Sequence, residues 1–341
     1  MPSAKATWMD FLGPFLQERC QSSGEMAYLQ GMMVKTVALL VGRERTFPDA
    51  LMDAIRKRGA GVGAEYASLD ITPVQEPPPY AVIVDRISHD VPCFQPVLKC
   101  MALRGTHVIN NPFWRIADDK AFGTALAARL GVPVPRTYVL PSKEYGEDIT
   151  PASLHNLRYP LDWEKLPFPL YLKPHWGGGF RDVYRVASLE ELWRAYDRTG
   201  RLTMIAQEAI EWEQYVRCVV IGKDHVLPLL WDPRLPHHER YLGASSTMPA
   251  LSEALRERVA SHARVLCHAL GYEMNTCEFA IRDGVPYAID FMNSAPDFEG
   301  RFLGESTFSW IVDQMATLCV RLAETPARLP LRWDAMLSGA G

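Results

Sequence analysis

Little in this 341-residue chain is extreme, and each shortage removes a class of function. There is no C-x-x-C pair. The seven cysteines, Cys20, Cys93, Cys100, Cys218, Cys267, Cys277 and Cys319, are odd in number and scattered. That pattern supports neither a disulfide framework nor a thiolate zinc site, and it suits a reducing cytoplasm. No apolar run approaches the length of a bilayer span, so no membrane partner is expected. The formal net charge is only −4, without the basic field that nucleic acid demands. Internal repeats and low-complexity tracts are absent. Residues Met1 to Lys35 mix Asp10, Glu18, Arg19 and Glu25 with apolar side chains, unlike a secretory signal, and read as a helical extension.

What is present is ordinary globular material, 48% hydrophobic and 22% charged, long for one domain and comfortable for two or three. Three sections are expected. The first, 1–112, joins the extension to a small α/β domain. It has a buried strand over Thr36 to Gly42, a helix opening at Pro48, and strands at Ala81 to Asp85 and Val108 to Asn110. The prolines Pro77, Pro78 and Pro79 lie in a connector. The second section, 113–210, includes a proline-interrupted loop from Pro160 to Pro169 and a helix with a capping-box start at Ser188. The third, 211–341, carries an amphipathic helix marked by Leu251, Leu255, Val259, Ala263, Leu266 and Leu270 and ended by Gly271.

Chemistry concentrates in two places. In Leu170-Tyr171-Leu172-Lys173-Pro174-His175-Trp176-Gly177-Gly178-Gly179 an apolar run delivers one lysine and then three glycines. A strand ending in a cation, followed by a turn of bare amides, suits a polyphosphate, although triple glycine also makes ordinary loops. Downstream, Asn275 to Asn293 reads as a hairpin about an Asp283-Gly284 turn. Pairing across that turn sets Glu278 and Asp290 opposite one another or nearly so. Two carboxylates and an amide oxygen suit a hard cation; the alternative is a pair of solvated acids with Asn293 in a turn.

Lysine, glycine loop and a late carboxylate–carboxylate–asparagine set, in this order, resemble the ATP-grasp superfamily, which includes D-alanine–D-alanine ligase, glutathione synthetase and the ribosomal-protein glutamate ligases. The resemblance runs from about Val82 to Gly304. Asn110-Asn111-Pro112, Asp118-Asp119-Lys120 and Gly131-Val132-Pro133-Val134-Pro135-Arg136-Thr137 resemble the segment around that family's first ATP lysine. The resemblance implies an α/β (α+β) chain, an ATP-grasp fold preceded by a small parallel α/β domain. It implies that Lys120 and Lys173 contact phosphate, with Gly177, Gly178 and Gly179 as the loop over it. Gln207, Glu208 and Ile210 would form the adenine hinge, and Glu213 would hold the ribose. Arg217 would face the transferring phosphoryl group, and Glu278, Asp290 and Asn293 would bind magnesium or manganese. The family's last metal motif is Glu-x-Asn, whereas Asp290-Phe291-Met292-Asn293 has one residue more. Either a bulge keeps both groups on the metal or Asn293 is not a ligand.

The activity implied is ATP-dependent joining of a small-molecule or peptide carboxylate to an amine, less often a thiol, through an acylphosphate, in a cytoplasmic enzyme that could be a homodimer. A small-molecule kinase and a non-catalytic ATP-binding regulatory module are the alternatives. Other residues invite attention. The neighbours His237, His238 and Glu239 diverge on any regular element, which disfavours a metal site. Arg234 and Arg240 are either a grip for a substrate carboxylate or a solvated loop. Ser88 and His89 either line a pocket at a strand end or make loop hydrogen bonds, and His175 beside Lys173 could simply pack.

Overall fold

The computed structural model describes residues 35–325 apart from 60, 71, 72, 77, 78, 114–118 and 159. The expected N-terminal helical extension, Pro77, Pro78 and Asp118 therefore lie outside the described residues. The described chain is built on three four-stranded sheets.

The first sheet is parallel, in the order β2-β1-β3-β4, with β1 Lys35–Leu40, β2 Val62–Tyr66, β3 Val82–Asp85 and β4 His107–Ile109. Crossover helices α1 (Thr46–Arg58) and α2 (Phe94–Leu103) join its strands, as parallel neighbours require. Phe47, Leu51 and Ile55 recur at four-residue spacing and are fully buried, which gives α1 its inner face. β2 and α2 were not expected. Glycines at 59, 61 and 63 dilute the pattern of β2, and Pro96 interrupts that of α2 at its first turn.

Helix α3 (Lys120–Arg129) opens the next section, with Asp119 as a cap that accepts from the N–H groups of Ala121 and Phe122. A second, antiparallel sheet follows in the order β5-β8-β6-β7: β5 Thr137–Leu140, β6 Leu170–Pro174, β7 Tyr184–Val186 and β8 Met204–Glu208. Helix α4 (Leu189–Tyr196) covers it and starts as expected, with Ser188 accepting from Glu191 N–H and Glu191 reaching back to Ala187 N–H. Leu170, Leu172, Leu192, Met204 and Ala206 fill this lobe's own core.

The third sheet, β10-β9-β11-β12, is antiparallel throughout: β9 Gln214–Ile221, β10 His225–Leu230, β11 Met274–Arg282 and β12 Val285–Asp290. Asp283 and Gly284 both have positive φ (53° and 71°), the hairpin turn read from the sequence. Helix α5 (Glu253–Leu270), capped by Ser252 and stopped by left-handed Gly271, packs Val259, Ala263 and Leu266 on one face of this sheet against Val216, Cys218, Phe279 and Ile281. That leaves the opposite face for chemistry.

Two helices pack away from their place in the chain. Ala127 of α3 and the following Val132 belong to the α5 core, although the sequence groups them with the second sheet. The long helix α6 (Glu305–Glu324) lies against α1 and shares one core with β1, β3 and Val219, Ile221 and Met274 of the third sheet. Among the described residues no helix is long and apolar enough to cross a membrane.

Candidate functional site

The open face of the third sheet carries a row of charge. Arg217 on β9 pairs across with Glu278 on β11, and Glu278 pairs with Asp290 on β12. The register shifts between Glu278 and Phe279, because Phe279 pairs with Ala288 while Glu278 pairs with Asp290. Ile289 is thus the extra residue of a bulge. Without it the strand's alternation would turn Asp290 to the far face, away from Glu278.

Each member of the row has a defined set of partners. Arg217 Nη1 donates to the Tyr241 hydroxyl at 3.2 Å, its Nε stands 3.4 Å from Glu278 Oε1, and its guanidinium lies 5.1 Å from the centre of the Trp231 ring. That Nε is buried and makes no hydrogen bond, so its contact with Glu278 is an ion pair without a hydrogen bond. Glu278 Oε2 accepts from the Tyr215 hydroxyl at 3.0 Å. Burial raises the Glu278 pKa despite Arg217, with the Asp290 charge adding to the rise. Burial likewise raises the Tyr215 pKa, which keeps it a phenol and a donor. The Asp290 carboxylate accepts no hydrogen bond from the described residues. Asn293 donates from its side chain to Thr276 Oγ1 at 3.0 Å and from its backbone to Asn275 Oδ1 at 2.8 Å.

Cations approach this row from the second sheet. Lys173 on β6 is buried, and its Nζ donates to the Ile289 carbonyl at 3.3 Å, at the bulge itself. Burial lowers its pKa; Asp290 and Glu278 oppose the shift, and Lys120 adds to it. Lys120, the first residue of α3, donates from Nζ to the Gly177 carbonyl at 2.5 Å and from its backbone to the His175 carbonyl at 2.9 Å. His175 Nδ1 is 3.2 Å from Asp119 Oδ2, so the cap of α3 also holds the base of the glycine loop. Gly177 and Gly179 have φ of 107° and 70°, where a side chain would strain the backbone, and a Cβ at any of the three glycines would meet nothing within 4 Å. The loop therefore presents open space beside two lysines.

Of the remaining expected residues, Glu213 adjoins β9 near the turn of the hairpin, whereas Gln207 and Glu208 belong to β8 of the second sheet. Glu213 precedes β9 and stands four residues before Arg217, about 13 Å along a strand. It is exposed, and its Oε1 accepts from Asp283 N–H at 3.3 Å. Gln207 is buried and spends its amide on Thr137 Oγ1, while Glu208 pairs with Arg136 at 3.0 Å and Arg282 at 3.7 Å. Ile210 packs with Tyr215 and Trp231. Lys120, Lys173, the glycines, Arg217, Glu278, Asp290 and Asn293 are thus gathered at one end, and Gln207, Glu208, Ile210 and Glu213 at the other.

Among the described residues no group of three or more His, Cys, Asp or Glu side chains could hold a metal ion. A cation here would rest on Glu278, Asp290 and the amide of Asn293. The oxygen chemistry of that set fits magnesium, and a buried carboxylate with a raised pKa beside a carboxylate without a hydrogen bond is a place where added positive charge is favourable.

Several residues with chemistry of their own take structural roles. His237 sits 3.5 Å from Asp297 and edge-on to Phe302, while His238 sits 3.1 Å from Glu239, so the two histidines diverge as expected. Arg234 is taken by a two-pronged bond to Asp232, whereas Arg240 donates to the Leu235 carbonyl and lies over both Phe180 and Trp231. Ser88 bonds Asp85 and His89 pairs with Asp90, which is the loop-bonding outcome. Tyr215, Trp231 and Tyr241, which line Arg217, were not expected. Tyr215 was readable in principle, since it stands two residues from Arg217 and so shares its face of a strand.

No protein-family model matches this sequence, and no curated protein matches it. Solved structures do. A RimK domain ATP-grasp protein from Sphaerobacter thermophilus is 18% identical, with a TM-score of 0.59 over 83% of this chain and 98% of that one. The VanG D-Ala:D-Ser ligase from Enterococcus faecalis is 14% identical, with a TM-score of 0.58 over 85% of this chain and 99% of that one. The D-alanine–D-alanine ligase from Bacillus anthracis complexed with ATP is 13% identical, with a TM-score of 0.57 over 86% and 99%. At these identities the likeness is one of architecture, and it matches the architecture that the order of motifs implies: this polypeptide has the ATP-grasp fold.

Proposed function

We propose that this protein is an ATP-dependent ligase that joins a carboxylate to an amine through an acylphosphate, releasing ADP and phosphate. The observation that carries the reading is the row Arg217–Glu278–Asp290, with the buried Arg217 Nε ion-paired to Glu278 but without a hydrogen bond, and Lys173 closing the row from the facing sheet. A guanidinium held beside two carboxylates, with one donor free of any hydrogen bond, suits a site that must hold a transferring anion. The fold likeness to ligases supports the same reading.

In this scheme Lys120 and Lys173 flank the polyphosphate and the amides of Gly177, Gly178 and Gly179 cover it. Gln207, Glu208 and Ile210 meet the adenine through backbone groups, and Glu213 takes the ribose hydroxyls. Glu278, Asp290 and Asn293 hold magnesium, which when bound neutralises phosphate charge. The substrate carboxylate attacks the γ-phosphorus in line. Such a transfer needs alignment and charge compensation more than covalent help from the protein. Arg217, fixed by Tyr241, Glu278 and Trp231, stabilises with its guanidinium charge the transferring group and then the oxyanion formed when the amine attacks the acylphosphate. The loop from Gly177 to Asp182 excludes the water that would hydrolyse that intermediate. Sections 1–112 and 211–341 serve as acceptor-side domain and metal-binding lobe, and within 113–210 the lid is the part from Arg136 to Glu208, since α3 packs in the α5 core.

Calorimetry of ATP binding, with and without magnesium, on the wild type and on Asp290→Asn tests the reading. Binding that needs both magnesium and Asp290, followed by ADP release with a pool of carboxylates and amines, is expected. Indifference to both would favour a regulatory nucleotide site, and a phosphorylated product with no amide would make the protein a kinase.

A further inference from the structure

One amide in the middle of the third sheet grips both ends of the segment whose length departs from Glu-x-Asn. Asn275 on β11 is completely buried, with 0% exposure. Its Nδ2 donates to the Phe291 carbonyl at 2.8 Å, and its Oδ1 accepts from the Asn293 N–H at 2.8 Å. These two bonds straddle Met292, the residue that makes the Asp290-to-Asn293 interval one longer. Met292 itself is seated: a Cβ at Gly123 of α3 would come within 3.0 Å of its Sδ and Cε. The next residue on β11, Thr276, receives the Asn293 side-chain Nδ2 and leaves Oδ1 as the uncommitted end of that amide.

We propose that Asn275 is a positioning residue for the cation site: by fixing both flanks of Met292 it absorbs the extra residue and sets where Asn293 and Asp290 stand relative to Glu278. The proposal rests on the reading of Glu278, Asp290 and Asn293 as cation ligands. A side-chain amide suits the task because it presents a donor and an acceptor from one group, matching a carbonyl and an N–H two residues apart. Its remaining neighbours, Cys267 Sγ at 3.4 Å and Cys277 Sγ at 3.5 Å, accept only weakly and so leave the amide committed to the loop. An aliphatic residue in its place would strand a buried carbonyl and a part-buried N–H together.

The test is ATP binding by calorimetry in EDTA, in magnesium and in manganese, on the wild type, Asp290→Asn and Asn275→Ala. Outer-shell changes cost about 10- to 100-fold in metal affinity. Asn275→Ala should therefore lose tenfold or more of the gain in ATP affinity that magnesium confers, with its affinity in EDTA unchanged. A structural defect alone would move both. Backbone amide exchange across 291–294 in the metal-free wild type gives a second measure, independent of whether Asn275→Ala folds, and slow exchange is expected. A full magnesium gain in Asn275→Ala beside a lost gain in Asp290→Asn, or fast exchange in the wild type, overturns the proposal and spares the cation site. A wild type indifferent to magnesium overturns both.

Discussion

Lys173 donates to the carbonyl of Ile289, and that contact runs from the second sheet to the bulge that turns Asp290 toward Glu278. A cation from one lobe thus touches the irregularity that shapes the carboxylate pair of the other. Lys173→Met keeps the bulk of the side chain and removes a charge that burial already disfavours. The expected outcome is an unchanged or slightly raised Tm with at least a tenfold loss of ATP affinity, read by thermal melts and calorimetry. A fall in Tm with unchanged affinity would make Lys173 a structural residue.

The three glycines separate by conformation. Gly177 and Gly179 occupy the left-handed region, and alanine at either should cost about 1–2 kcal/mol. Gly178 does not, and nothing lies within 4 Å of where its Cβ would be. Gly178→Ala should therefore leave Tm unchanged, and it should weaken ATP binding only if the phosphates lie against that residue. Melts of the three variants beside their ATP affinities make the comparison.

Phe180 follows the glycines with φ of 57°, uncommon for a bulky residue, and its exposed ring lies 5.3 Å from the Arg240 guanidinium of the facing lobe. A partly exposed cation–π contact contributes on the order of 0.5–1 kcal/mol. Phe180→Ala and Arg240→Met should each speed tryptic cleavage after Arg181 by about two- to fivefold, with gel densitometry over a time course as the readout. Equal rates in all three proteins would remove the contact as a restraint on the loop.

Asp232 is buried and accepts from the backbone and guanidinium of Arg234 and from Thr247. The Arg234 guanidinium leads in lowering its pKa, to about 2. Because the folded value lies below the unfolded one, the stabilisation is complete above about pH 4 and is lost as pH falls toward 2. Arg234 is largely exposed, so screening leaves on the order of 1 kcal/mol. Asp232→Asn should flatten the fall in urea midpoint between pH 5 and pH 2.5, while wild type and variant keep parallel midpoints above pH 5.

The hairpin of the third sheet was legible because its information is local: a turn pair with positive φ and strands of readable alternation fix which residues face each other. The bulge at Ile289 was not legible: the Asp-x-x-Asn spacing suggested an irregularity after Asp290, whereas the strand takes up its extra residue before it. Asn275 carried no signal of its own. An asparagine within an apolar strand is a puzzle until the loop that it serves is seen folded against it. Helix α6 had readable periodicity, with Ile311, Met315, Leu318 and Leu322 on one face, but its partner α1 lies some 250 residues earlier, and long-range packing of that kind leaves no mark in either segment alone.

The lobe built on the second sheet joins the rest of the chain at two neighbouring points. Arg136 enters it and Glu208 closes it, joined by a backbone bond at 2.8 Å and an ion pair at 3.0 Å, with Thr137 paired to Gln207 beside them. The lobe is therefore tethered along a single edge, where two adjacent strands enter and leave side by side. Lys120 opens the helix whose Ala127 sits in the α5 core, yet its own bonds reach the His175 and Gly177 carbonyls of the lobe that carries Lys173, so a nucleotide held between the two lysines would add a second tie across that join.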